Sequence, residues 1–187
     1  YNFEELKKEI GESCFRTNSD TEVILKAYER WGVDCLSKFR GMFAFALWDE
    51  SKTKLFCARD RFGIKPFYYT IVDGIFYCAS EIKALLPFVK EIVTDTDSLN
   101  DYLTFQFTLG EKTLFKGIKQ LEPGHLLTIE NSQISVKKYW EVYYNLDFNH
   151  TEQYFIEQTR ELMEESIRLH LRSDVPVGAY VSGGRDS

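Results

Sequence analysis

The sequence predicts an α+β fold, strand-rich and aromatic over residues 1 to about 145, that runs on into the first helix and strand of an α/β unit. Three observations carry this. Apolar spacing is helical up to about Gly32, then changes to the short runs typical of strands. Phenylalanine and tyrosine, 15 and 11 of 187 residues, supply most of a 16% aromatic content, enough for a large aromatic core. After a polar stretch at 145–150 the helical period returns, followed by an apolar run and two glycines.

The elements follow in order. Phe3, Leu6 and Ile10 recur at helix spacing until Gly11 stops the run. Ser19-Asp20-Thr21-Glu22 has the form of a capping box, with Val23, Ile24, Ala27, Tyr28 and Trp31 as the buried stripe and Gly32 at the end. Residues 41–48 contain no charged or amide side chain, so this strand is expected to be covered on both faces. Further strands are expected at 54–58, 67–72 and 75–79, with turns at Asp49-Glu50-Ser51 and Asp73-Gly74. A short helix is expected over 80–86, stopped by Pro87, and another over 97–105. Strands at 125–129 and 134–140 are joined by Glu130-Asn131-Ser132. A linker at 145–150 precedes a long amphipathic helix over 151–171, whose Tyr154, Phe155, Leu162, Ile167 and Leu171 call for a packing partner. Residues 175–181 read as a strand feeding Ser182-Gly183-Gly184.

Charge and composition narrow the function classes. The net charge of -6 and the lack of any Lys/Arg run argue against a nucleic-acid surface. No apolar stretch approaches the roughly 18 residues that span a bilayer, and the N-terminus has no signal-peptide pattern, which leads to the expectation of a cytoplasmic protein. There is no starting Met, so upstream sequence is expected ahead of Tyr1. Cys14, Cys35, Cys57 and Cys78 form no C-x-x-C pair and lie far in sequence from His125, His150 and His170, so no zinc site is expected. They are read as reduced thiols, with Cys57 and Cys78 as small hydrophobes inside strands.

The clearest chemical signal is Ser182-Gly183-Gly184-Arg185-Asp186-Ser187 after the strand-like Val177–Val181. A strand ending in two glycines and hydroxyl residues offers a row of backbone N–H groups that can wrap a phosphate. Ser182 and Ser187 can donate to its oxygens, and Asp186 offers a carboxylate to Mg²⁺. An ordinary Gly-Gly turn satisfies the same hexapeptide. It is not a Walker A loop, since the Gly-Lys-Ser/Thr ending is missing.

Taken with the rest of the chain, this hexapeptide resembles the S-G-G-x-D-S pyrophosphate loop of ATP-pyrophosphatase enzymes. Residues 41–49, Ala58-Arg59-Asp60-Arg61-Phe62-Gly63-Ile64-Lys65-Pro66, residues 79–85, Leu121-Glu122-Pro123-Gly124-His125 and Tyr139-Trp140 are similar to the glutamine-hydrolysing asparagine synthetase family in order and spacing. The resemblance implies an incomplete four-layer αββα sandwich of the N-terminal-nucleophile amidotransferase type over 1–145. A linker helix and the first helix and strand of an α/β ATP-pyrophosphatase domain are implied over 146–187. It implies a cysteine at the mature N-terminus that attacks the glutamine amide, activated by its own α-amine. Ammonia then passes to aspartate adenylated by ATP with Mg²⁺, giving asparagine, AMP and pyrophosphate.

The resemblance implies roles residue by residue. Asp20 matches the aspartate that binds the α-amino group of glutamine; as an acidic residue in a helix's first turn it is also stabilised without any ligand. Val181, Ser182, Gly183, Gly184, Asp186 and Ser187 match the pyrophosphate-binding loop, with Arg185 standing where the family carries an aliphatic residue. The nucleophile and the Asn-Gly-Glu oxyanion segment are expected ahead of Tyr1, and the 187 residues alone are expected to be inactive. Expected partners are glutamine, aspartate and ATP, with no nucleic acid and no membrane; a homodimer is left open. Arg59–Pro66 is read as a structural turn with internal ion pairs and a glycine bend, and Glu81 with Lys83 as a solvated pair. Two other functions stay open: an amidotransferase acting on a different carboxylate acceptor, and an inactive scaffold or regulatory domain.

Overall fold

A computed structural model of the protein describes residues 1–173, 175–180 and 182–184. Its first layer is helical. Helix α1 (Phe3–Ile10) buries Leu6, α2 (Asp20–Trp31) buries Val23, Ala27 and Tyr28, and the short α3 (Cys35–Lys38) buries Cys35 and Leu36. The four-residue step from Val23 to Ala27 keeps one face of α2 turned inward. A 3₁₀ turn at Glu12–Cys14 and α3 itself have too few residues to show a period in the sequence.

These helices cover one face of an antiparallel four-stranded sheet ordered β1 (Ala44–Asp49), β2 (Lys54–Arg59), β6 (His125–Glu130) and β7 (Gln133–Lys138). A three-stranded sheet, ordered β4 (Ile75–Ala79), β3 (Tyr68–Val72) and β5 (Lys119–Gln120), packs on the opposite face. Register sets the alternation. Leu47 lies opposite Phe56 and Ala58 opposite Leu126, and these point to the helices. Cys57 lies opposite Leu127, and both meet Phe67 and Tyr69 of the second sheet. The core is aromatic, as composition indicated. Phe56, fully buried, stacks on Tyr28 at 5.2 Å between ring centroids and meets Phe45 edge-on at 5.6 Å. Burial of that ring contributes about 2–3 kcal/mol.

The outer face of the second sheet is covered thinly. Tyr77 stacks on Phe88 at 4.3 Å, and Leu85 is buried beneath two 3₁₀ turns, Ile82–Ala84 and Leu86–Phe88. The expected helix over 80–86 is therefore two 3₁₀ turns, and Pro87 sits inside the second, where its fixed φ and missing N–H are tolerated. Helix α4 (Thr96–Phe105) starts at Asp95, whose carboxylate accepts the Ser98 amide at 2.8 Å.

Two other expectations are corrected. Strand β1 is an edge strand with Ala46 and Trp48 exposed, so it is not covered on both faces. An apolar run makes both faces fit for burial, but packing decides: on that face only Ala44 of β1 meets the cluster between the sheets, while Ala46 and Trp48 stay exposed. Residues 175–180 form no strand, because a strand needs a hydrogen-bonded neighbour and none is present for them among the described residues. Strand β5 was not anticipated, since two residues carry no alternation. The hairpins are as expected: Asp73-Gly74 and Asn131-Ser132 all have positive φ, the twist that tight two-residue turns need.

Helix α5 (Glu152–His170) is capped by Thr151, which accepts the Tyr154 amide at 3.3 Å. It has no buried residue, and Phe155, Leu162 and Ile167 lie exposed along it.

Candidate functional site

Asp20 sits at the first helical position of α2, presented by the loop before it. Ser19 caps the helix by accepting the Thr21 amide at 3.2 Å. Glu22 does not close the expected capping box on Ser19. Its carboxylate instead takes the amides of Arg16 and Thr17 and the Thr17 hydroxyl at 2.9, 2.7 and 2.6 Å, which pins the incoming loop. The helix start is thereby fixed by Ser19 and Glu22, and Asp20 takes part in none of these bonds.

The Asp20 side chain borders a cavity of about 80 Å³ whose other wall is made by Tyr1, Asn2 and Arg40–Met42. This wall is tightly tied. The Tyr1 backbone nitrogen donates to the Arg40 carbonyl at 2.9 Å, the Asn2 amide side chain donates to the Lys38 carbonyl, and the Arg40 amide donates back to Asn2, both at 2.9 Å. Gly41, at φ +143°, passes so close that a Cβ there would lie 2.8 Å from the Tyr1 nitrogen. Asp20 gives this cavity a carboxylate, a group that suits an ammonium.

The Arg59–Pro66 turn braces the same wall from below. Asp60, 1% exposed, accepts the amides of Phe62, Ile64 and Lys65 at 3.2, 3.0 and 2.9 Å and that of Phe43 at 3.3 Å. Arg61 donates to the carbonyls of Phe39, Ser37 and Leu36, just before Arg40. Arg59 donates to the carbonyls of Lys65, Gly63 and Leu121, each at 2.7 Å, and burial lowers its pKa. The structural reading of this turn holds, including the Gly63 bend at φ +63°. The expected internal ion pairs are absent among the described residues. The charges meet backbone dipoles instead, which satisfies more groups in a buried turn than pairing with each other would. Glu81 and Lys83 form the exposed pair expected of them, at 2.7 Å.

Of the terminal loop, Ser182, Gly183 and Gly184 are described, and Val181, Asp186 and Ser187 lie outside the described residues, as does Arg185. The Gly184 amide donates to the Ser182 hydroxyl at 3.2 Å, so a hydroxyl and backbone amides gather on one bend. That donor set has the right chemistry for a phosphate, and a Cβ at Gly183 would meet open space. No group of three or more His, Cys, Asp or Glu that could hold a metal occurs among the described residues. No helix among them is long and apolar enough to cross a membrane. The four cysteines are free thiols; Cys35 and Cys57 are buried, while Cys78, expected to be a strand hydrophobe, is exposed.

The sequence places Asp20 at a helix start but does not point to Tyr1, Asn2 and Arg40 as lining the same cavity. Tyr1, Asn2 and Arg40 lie outside every motif singled out in the sequence, and only packing brings them to α2.

The layered fold is that of glutamine amidotransferases. It resembles glutamine phosphoribosylpyrophosphate amidotransferase from Bacillus subtilis, with a TM-score of 0.50 at 22% identity, over 74% of this chain and 27% of that one. Residues 1–140 of the 187 match the glutamine amidotransferase domain family, and the chain belongs to that family. Residues 158–187 match the asparagine synthase family. Asparagine synthetase [glutamine-hydrolyzing] 1 of Bacillus subtilis is 40% identical over the whole chain, and the amidase chry2 of Gibberella zeae is 36% identical over the whole chain. The chain spans 30% and 28% of the lengths of these two relatives.

Proposed function

We propose that the chain belongs to an asparagine synthase (glutamine-hydrolysing), with residues 1–145 in the amidotransferase domain and 146–187 forming the linker helix and the start of the synthetase domain. The observation that carries this reading is the succession in one chain of an amidotransferase match and an asparagine synthase match, with full-length similarity to an asparagine synthetase. Glutamine hydrolysis would supply ammonia, and ATP would activate the aspartate carboxylate that receives it, giving asparagine, AMP and pyrophosphate.

In this reading Asp20 holds the α-ammonium of glutamine, and the walls at Tyr1 and Arg40–Met42 fix the space around it. A charge-assisted hydrogen bond of this type contributes about 1.5–3 kcal/mol. Val181, Ser182, Gly183, Gly184, Asp186 and Ser187 bind the pyrophosphate portion of ATP, with Mg²⁺ neutralising the phosphates. A cytoplasmic location and a homodimer accord with this reading, and sedimentation of the purified gene product tests the second.

The deciding assay gives the full gene product glutamine, aspartate and ATP and measures asparagine. Asp20→Asn is expected to raise the glutamine KM about tenfold or more, with a smaller change in kcat. An unchanged KM would remove Asp20 from the site. Similarity of the same order to a relative that is not named an asparagine synthetase keeps a second reading in view, an amidotransferase with another carboxylate acceptor. Glutamine consumption with no asparagine, and turnover on a different acid, would select it.

A further inference from the structure

We infer that Arg172 and Glu165, on and just beyond the last turns of α5, are positioning residues of the Asp20 cavity and make α5 docking and ligand binding interdependent; this rests on the reading of Asp20 as the glutamine site. Helix α5 buries none of its residues, so apolar packing does not set where it lies. Its polar contacts with the helical layer converge on one place. Arg172 Nη1 donates to the Tyr1 carbonyl at 2.9 Å, and the same guanidinium holds Glu5 through bonds of 2.7 and 2.5 Å. Glu165 pairs with Arg40 at 2.8 Å, and the His170 ring lies 4.3 Å from the Tyr1 ring.

Tyr1 and Arg40 are hydrogen-bonded to each other and both line the cavity. One helix thus grips both halves of the wall facing Asp20. Exposed ion pairs of this kind contribute little stability singly. Their effect here is geometric: Arg172 fixes the Tyr1 main chain through its carbonyl, and Glu165 holds the Arg40 guanidinium. Only a guanidinium fork can hold a carboxylate and a carbonyl together in this way; a lysine ammonium cannot reproduce the planar geometry. Any ligand that needs the wall in place binds better with α5 docked, and by reciprocity it favours docking.

The test uses the full gene product carrying Arg172→Met, Arg172→Lys, Glu165→Gln, or both Arg172→Met and Glu165→Gln. Hydrogen exchange is expected to quicken severalfold at the amides of 38–42 in the double variant, with the β2–β6 core unchanged. The glutamine KM is expected to rise about fivefold with kcat altered less than twofold, and Arg172→Lys should fall between wild type and Arg172→Met. Unchanged exchange at 38–42 in a folded double variant overturns the inference, whatever the activity. Faster exchange with an unchanged glutamine KM also overturns it. A wild-type protein that hydrolyses no glutamine sinks the functional reading instead, and the exchange result still decides whether α5 holds the wall.

Discussion

Asp60 and Phe43 hold each other twice: the Asp60 amide donates to the Phe43 carbonyl at 2.8 Å, and the Phe43 amide donates to the Asp60 carboxylate at 3.3 Å. This closes the start of β1 onto the Arg59–Pro66 turn, one residue after the Gly41–Met42 wall. Because the same carboxylate also accepts three amides of the turn, its loss leaves several part-buried donors without that partner. Asp60→Ala is expected to cost about 3 kcal/mol or more in urea unfolding. Asp60→Asn keeps the shape but faces an NH₂ toward backbone amides, and should fall between. An Asp60→Ala loss under 1 kcal/mol would mean that the turn holds itself.

Two glycines with similar φ separate backbone strain from crowding. Gly74, at φ +80°, has open space where a Cβ would stand, whereas Gly124, at φ +66°, would place one 2.6 Å from the Trp140 carbonyl oxygen. Gly74→Ala should cost about 1 kcal/mol, the left-handed penalty alone. Gly124→Ala should cost at least about 2 kcal/mol more, since backbone cannot swing aside as a side chain can. Equal losses in thermal unfolding would show that the 124–140 contact yields easily.

The Glu5 carboxyl is held down to about 2, chiefly by its hydrogen bonds to Arg172, with burial acting the other way. A folded pKa below the unfolded one means that the unfolded chain binds more protons between the two values. Stability from this pair is therefore fully present above about pH 4.5 and is lost as pH falls toward 2. The Glu5 side chain is about half exposed, so the contribution is small and should shrink in high salt. Unfolding temperatures of wild type and Glu5→Gln, compared from pH 6 to pH 2, should converge as the pH drops. Parallel curves would show that the ion pair adds nothing.

Much of the site's scaffold was legible before any coordinates, and for local reasons. Ser19 followed by Asp20 announces a helix start because the cap acts within three residues of chain. The role of Glu22 was misread because its partners, Arg16 and Thr17, compete with Ser19 for the same carboxylate, and only the path of the loop decides between them. The 59–66 turn was recognisable as structural. Its ion pairs were not, because burial converts charged side chains into acceptors and donors for backbone.

By itself the sequence determined the α+β order, the hairpin turns, the aromatic core and the place of Asp20 on α2, since all of these follow from periodicity and turn chemistry over a few residues. Tertiary structure alone decided that β2 pairs with β6 some seventy residues later, that β1 lies at an edge with Trp48 exposed, and that Tyr1, Arg40 and Arg172 meet across from Asp20. Those facts depend on which surfaces meet when the layers stack. Contacts across such distances leave no period in the chain, and the closure entropy they must overcome is set by the whole fold.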